Sequence, residues 1–469
     1  MSPGTASSGD SRLLDEPVPR ALLRLALPVL ASQALRLGYQ WVDAMWVKPL
    51  GVQATAAVTT SVFVLWCVYA LNDIFGAGLQ AYVSQLIGAG ERARAGVAVR
   101  KALTASFVMG AACAVIGILG ARRLYALVDP GGGVVDAGAT YLRVVLLGAP
   151  FMLPAETAQI AFRAAGDTRT PLVLDGLSIL FNILLAPVLI YGLGPAPRLG
   201  VAGAALATVL AQVLMAASYT VLALRRHPAF PLARRAPGLP VRIRGLAKVG
   251  VPAALIGSLF SVVYLAFARA ASPYGPAAVA IIGVENRIEA LQFILSLSLG
   301  FAGATLLGQA LGAGRIDRAE AVLRTAQRWA TLLAAAVTVA LFAFPHLFLS
   351  MFTRDPAMFA LGVPYLRILA LTIVATGIEI TTAETVMGSG HTREMSVIYT
   401  VVSLLRIPLA FAVTRWGNAG VLGIAWLITI SCIVRAILLV GWASRGTWKR
   451  GLARELRGDA PTSEAGASS

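Results

Sequence analysis

Twelve apolar runs, each long enough to cross a bilayer, constrain this chain more than any other feature. A spanning helix needs about 20 mostly apolar residues. Hydrocarbon leaves helix as the form for such a run, because every backbone N–H and C=O must be satisfied within the segment. The runs cover residues 21–47, 54–87, 97–120, 139–164, 170–192 and 200–224, then 246–271, 277–311, 320–344, 360–388, 395–414 and 420–443. Two of them, 54–87 and 277–311, are longer than a bilayer needs and should tilt or project into water. Only 13% of the residues are charged and 58% are hydrophobic, against about 25% charged in an average globular protein. That excludes a soluble multidomain enzyme and a disordered chain. The expected fold class is an all-α polytopic membrane protein with twelve transmembrane helices.

A net charge of +17 raises the question of a nucleic-acid partner. The basic residues lie in short loops between apolar runs rather than on one periodic face, so no nucleic-acid partner is expected. Cys67, Cys113 and Cys432 all sit inside apolar runs, odd in number and without metal-ligand spacing. They read as small core residues, with neither a disulfide framework nor a metal site. No cofactor is expected. Residues 1–20 are polar and carry Asp10, Asp15 and Glu16, so they read as a tail rather than a cleavable signal.

The chain repeats itself. Pro28 in "LALPVL" recurs as Pro252 in "VGVPAAL", an offset of 224, and "SQLIGAG" (Gln85, Gly88, Gly90) recurs as "GQALGAG" (Gln309, Gly312, Gly314) at the same offset. Tyr141–Arg143 and Gly166–Arg169 return as Tyr365–Arg367 and Gly390–Arg393, again offset by 224. Six runs fall in each half, so two six-helix repeats run parallel, related by an axis along the membrane normal. That is a transporter architecture. The implied organisation is a tail at 1–20, a first lobe at 21–224, a basic linker at 225–244, a second lobe at 245–443 and a tail at 444–469. With both termini cytoplasmic, 26 Lys and Arg fall on inner segments and 6 on outer loops, the asymmetry the positive-inside rule requires.

The motifs together resemble the MATE (multidrug and toxic compound extrusion) transporters of bacteria. The matching segments are "LALPVLASQALRLGYQWVDAMWV", "SQLIGAGERARA", "RAAGDTRTPL…FNILLAPVLIYGLG", "NRIEAL…GFAGATLLGQALGAGRIDRAE" and "YLRILA…MGSGHTREM…RIPLA", spread over roughly 15–450. The resemblance implies V-shaped lobes around a central cavity and a monomer in the bacterial inner membrane. It also implies antiport of cationic amphipathic drugs or toxic organic compounds against protons or sodium. The alternative within the same superfamily is a lipid-linked oligosaccharide flippase. A membrane enzyme would need a catalytic constellation, and no such motif stands out.

Ionisable groups inside spans are costly, so each is a functional candidate. The acids are Asp43, Asp73, Glu156, Asp175, Glu285, Glu289, Glu379 and Glu384. Asp43 leads: no basic residue lies three or four positions away to neutralise it, and its repeat counterpart is Phe267. The resemblance makes it the ion-coupling acid, with Asn182 beside it and Pro28 as the point where the first helix bends. The family's fifth-span acid is replaced here by Ala186, which removes a ligand a sodium ion would use. Thr376 and Phe260 stand where a NorM-type second-lobe site would carry acids. Glu285 and Glu289 share a helical face at i, i+4 and, with Glu379 and Glu156, are candidates for the substrate cavity; arginine pairing through Arg287 or Arg406 is the competing reading. Asp73, next to Asn72, reads as an interhelical polar contact, and Asp175 as structural. Aromatic cavity lining would come from Tyr39, Trp41, Trp46, Phe63, Trp66 and Tyr69. The Gly-Ala-Gly segments read as tight turns ending long helices, not as phosphate loops.

Overall fold

The computed structural model describes residues 10–128, 134–224, 236–237, 240–415 and 419–452. Among them the regular structure is helical throughout. A short α1 (Asp10–Asp15) precedes α2 (Val18–Val47), α3 (Val52–Gly88), α4 (Arg92–Val128), α5 (Val135–Leu147), α6 (Ala149–Ala164), α7 (Arg169–Tyr191) and α8 (Val201–Leu224). The second half supplies α9 (Ile243–Ala271), α10 (Pro276–Gly312), α11 (Ile316–Ala343), α12 (Pro345–Ser350), α13 (Pro356–Met387), α14 (Arg393–Arg415) and α15 (Gly420–Ser444). Most of the linker read at 225–244, and the tail beyond Leu452, lie outside the described residues.

Among the described residues ten helices are long and apolar enough to span, and the bent pair α5–α6 makes an eleventh. α9, 29 residues long, occupies the repeat position of α2. The repeat is visible in the elements themselves. α3 and α10 are both 37 residues, and α7 and α14 are both 23, each pair offset by 224. Gly90 and Gly314 end the two long helices at φ of 78° and 77°, where a side chain would be strained. The amides of Glu91 and Arg315 reach back to the carbonyls of Leu86 and Ala310 at 2.7 and 2.8 Å, closing each helix end. These are the tight turns expected of both Gly-Ala-Gly segments.

One run departs from a single helix. The fourth, read at 139–164, is two helices bent by 54°. Pro150 at the start of α6 has no N–H to continue the ladder from α5, and the chain turns at Gly148. The second half has no such break: Thr372 stands at the equivalent place in an unbroken α13, its hydroxyl 2.7 Å from Thr429 Oγ1 on α15.

Contacts divide the chain into two compact units, Met1–Ala26 with Pro252–Gly451, and Leu27–Val251 with Leu452–Ser469. The divisions fall close to Pro28 and at Pro252 itself. The first unit packs Leu13 of α1 and Leu22 and Leu25 of α2 into a core with Leu306 and Leu307 of α10 and Val322 of α11. Arg318 ties the start of the chain to this unit, donating to the carbonyls of Leu13 and Glu16 at 2.6 Å each. In the second unit the start of α9 lies against α3. A Cβ on Gly78 would stand 2.2 Å from the Leu246 carbonyl oxygen, and one on Gly250 2.1 Å from that of Ile74, so glycine at both places permits the approach.

Candidate ion and substrate sites

Within the unit Leu27–Val251, Asp43 lies one turn from the end of α2. Its Oδ1 is buried and has no hydrogen-bond partner. One turn earlier Tyr39 shares a hydrogen bond of 3.3 Å with Thr208 of α8. Asn182 of α7 donates to the same Thr208 hydroxyl at 3.4 Å. Asn182, expected beside Asp43 as its polar partner, is thus engaged by Thr208 instead. Ala186, one turn further along α7, is fully buried and offers no oxygen. Asp43 is therefore a carboxyl without a polar partner among the described residues.

A second constellation joins α2, α6 and α7. Arg36 donates to both oxygens of Glu156, at 3.3 and 3.0 Å, and also to Gln159 at 3.1 Å and Asp175 at 3.4 Å. Gln159 Nε2 reaches both Asp175 oxygens at 2.7 and 2.8 Å, and Arg163 donates to Gln159 Oε1. Glu156 thus stands as half of a bidentate ion pair, the strongest geometry available to it. Arg36 escaped the sequence reading because that reading weighed only acids. The cost argument that singles out an acid inside a span applies equally to an arginine.

Asp73 and Asn72 divide differently than expected. The interhelical contact belongs to Asn72, buried on α3, whose Oδ1 accepts from Thr157 of α6 at 3.1 Å; Thr157 in turn lies 2.6 Å from Ser106 of α4. Asp73 is exposed. Among the proposed cavity aromatics, Trp41 and Trp66 are 69% and 45% exposed; the Phe63 side chain lies outside the described residues. The same unit holds an apolar cavity of about 460 Å³ between α4, α6 and α8, lined by Phe107, Phe151, Phe162 and Tyr219 among others. It carries no charged wall.

In the unit containing Pro252–Gly451, Glu285 and Glu289 take tyrosine hydroxyls rather than arginines. Tyr365 of α13 donates to Glu285 Oε2 at 2.9 Å, and Tyr264 of α9 donates to Glu289 Oε2. Glu285 Oε1 is buried without a partner. The two carboxyls, with Ile288, Leu341, Leu369 and Thr372, line a cavity of about 20 Å³, room for one water. Arg287 lies over the Phe352 ring at 5.9 Å. Arg406 of α14 bonds Ser431 at 2.7 Å and the Cys432 sulfur at 3.0 Å.

Glu379 of α13 is paired with Arg435 of α15 at 3.0 Å, and both are almost fully buried. The guanidinium also stands over the Tyr399 ring at 4.8 Å, a cation–π arrangement, and 3.4 Å from Cys432 Sγ. Each half of the chain thus carries a glutamate on its fourth span held by an arginine from another span. Thr376, at the place of the NorM-type acid, is buried with its hydroxyl unpartnered. Among the described residues, no cluster of three or more His, Cys, Asp or Glu could hold a metal ion.

The MatE family model matches residues 28–188 and matches again at 252–412. The chain belongs to the MatE family. It is 27% identical to a probable multidrug resistance protein, YoeA, of Bacillus subtilis, over 92% of this chain and 94% of that one. To a protein of Shewanella oneidensis named as an FAD transporter it is 26% identical, over 92% and 96%. A solved outward-facing multidrug-resistance MATE transporter superposes with a TM-score of 0.87 at 23% identity, covering 94% of this chain and 98% of that one. Another, a MOP superfamily transporter from Pyrococcus furiosus, gives 0.86 at 23% identity over the same shares. This MatE chain is accordingly a multi-pass membrane protein of a transporter family, built as two copies of the MatE repeat.

Proposed function

We propose that this MatE protein is a secondary antiporter of the bacterial inner membrane, with both termini cytoplasmic, exporting cationic amphipathic small molecules in exchange for protons. The observation that carries the reading is Asp43. It is an acid inside a span, with one oxygen buried and unpartnered, on a helix that contains Pro28. A carboxyl so placed can be neutralised by a proton, while the alanine at 186 leaves few hard oxygens for a metal ion. Deprotonated Asp43 would favour the substrate-loaded state. Protonation from outside removes the charge, lets α2 rearrange where Pro28 lacks its backbone hydrogen bond, and releases the substrate.

Asn182 would steady this end of the site through Thr208. Glu285, Glu289, Glu379 and Glu156 supply the acidic character that attracts a cation. Each is held by a tyrosine or an arginine, so engaging a substrate requires an exchange of partners. The testing experiment is uptake of ethidium by inside-out vesicles under an imposed pH gradient, with and without sodium. Transport that follows the pH gradient in sodium-free buffer supports the reading; an absolute sodium requirement at fixed pH contradicts it.

A second reading is favoured by one observation, the 26% identity to a protein named as an FAD transporter. An anionic dinucleotide would need the arginines rather than the acids. FAD uptake in the same vesicles, with no uptake of ethidium, would select it.

A further inference from the structure

We propose that Asp73, rather than Asp43, is the carboxylate that takes the positive charge of the exported molecule in the unit Leu27–Val251. The inference rests on the reading of the protein as an exporter of organic cations and names the residue that recognises them. Asp73 lies deep within α3, far from both its start at Val52 and its end at Gly88. At about 1.5 Å of rise per residue, each end is more than about 20 Å away. Its side chain is exposed, and no hydrogen bond or ion pair engages it among the described residues. A carboxylate at this depth facing hydrocarbon is strongly disfavoured, so such a group faces a water-filled cavity or a counter-charge.

Among the described residues no counter-charge pairs with it. Tyr69 stands one turn away on the same face of α3. The neighbouring carboxyl across the α3–α6 packing is Glu156, which Arg36 already neutralises through two hydrogen bonds. Gly76 lies beside Asp73: a Cβ there would stand 3.7 Å from Asp73 Oδ1 and 2.7 Å from the end of Ile160 on α6. With Glu156 engaged by Arg36, Asp73 is the carboxyl left open on this surface, one turn from an aromatic ring that suits a cation.

Asp43 and Asp73 then differ in what can reach them. Asp43 is half-buried, with its Oδ1 shielded and within reach of a proton. An exposed carboxylate can meet the ammonium directly. The two acids divide coupling from recognition within one unit.

The test measures equilibrium binding of ethidium to the purified full-length protein in detergent. Asp73→Asn should weaken binding by about tenfold or more, the loss of one charge-assisted contact, while Asp73→Glu should keep most of the affinity. Elution and thermal melting matching the unmutated protein establish that each variant folds. Unchanged affinity in Asp73→Asn overturns the proposal while the exporter reading stands. Failure of the unmutated protein to bind ethidium overturns both.

Discussion

Arg36 on α2 and Glu156 on α6, distant in sequence, form a bidentate ion pair with hydrogen bonds of 3.3 and 3.0 Å. The pair fixes the first span to the fourth in the same unit that carries Asp43. Its side chains are 32% and 20% exposed, so it is less enclosed than a fully buried pair. Removing one partner still leaves the other charge inside a span. Arg36→Met and Glu156→Gln should each lower the melting temperature, and the double variant should lose less than the sum. A thermodynamic cycle should give a coupling of about 1–3 kcal/mol.

The Arg435–Glu379 pair supplies a comparison. Its side chains are 10% and 1% exposed, so breaking it strands a charge that is enclosed by the protein. Glu379→Gln should cost about 3–5 kcal/mol or prevent folding, more than Glu156→Gln. Arg435→Met with Glu379→Gln should recover much of that loss. Folded yield and melting temperature of the four variants give the ranking; equal effects at both pairs would contradict it.

Ala186 is the position that should separate proton from sodium coupling. The unmutated protein should transport ethidium under a pH gradient in sodium-free medium. Ala186→Asp places a second carboxyl one turn from Asn182 and should make transport respond to sodium, at a cost in stability because the site is fully buried and a carboxyl inside a span is expensive. Vesicle transport across a sodium titration at fixed pH reads the difference.

The topology is checked by two engineered cysteines in a background lacking Cys67. Lys48 and Asp317 are both exposed, on segments placed outside and inside by the positive-inside rule. An impermeant thiol reagent applied to intact cells should label Lys48→Cys and spare Asp317→Cys.

Much of the architecture was legible because lipid permits so few solutions. Every apolar run but the fourth became a single helix, and the offset of 224 reappears in α3 and α10 exact in register. The bend at Gly148 was not legible, since hydrophobicity continues through it and the cause is a single missing N–H at Pro150. Nor was the packing of Leu22 and Leu25 with the second half of the chain, which depends on contacts with Leu306, Leu307 and Val322, remote in sequence. In the candidate sites, the partners of the named residues were not foreseeable. Asn182 chose Thr208 because that hydroxyl sits on the facing helix, and Glu285 and Glu289 chose tyrosines. Asn72 and Asp73 are adjacent, and which one faces α6 follows from the rotation of α3, a quantity an almost uniformly apolar run does not encode.

Asp43 carries the coupling in the proposed mechanism. The most direct test is ethidium export by cells and vesicles carrying Asp43→Asn, at expression matched to the unmutated protein. The substitution imitates a permanently protonated carboxyl, so the protein should insert and fold normally but lose export driven by the pH gradient, with Asp43→Glu retaining part of it. Export by Asp43→Asn at the unmutated rate would contradict this role and move the coupling site to another acid, with Glu285, Glu289 and Glu379 the first to examine.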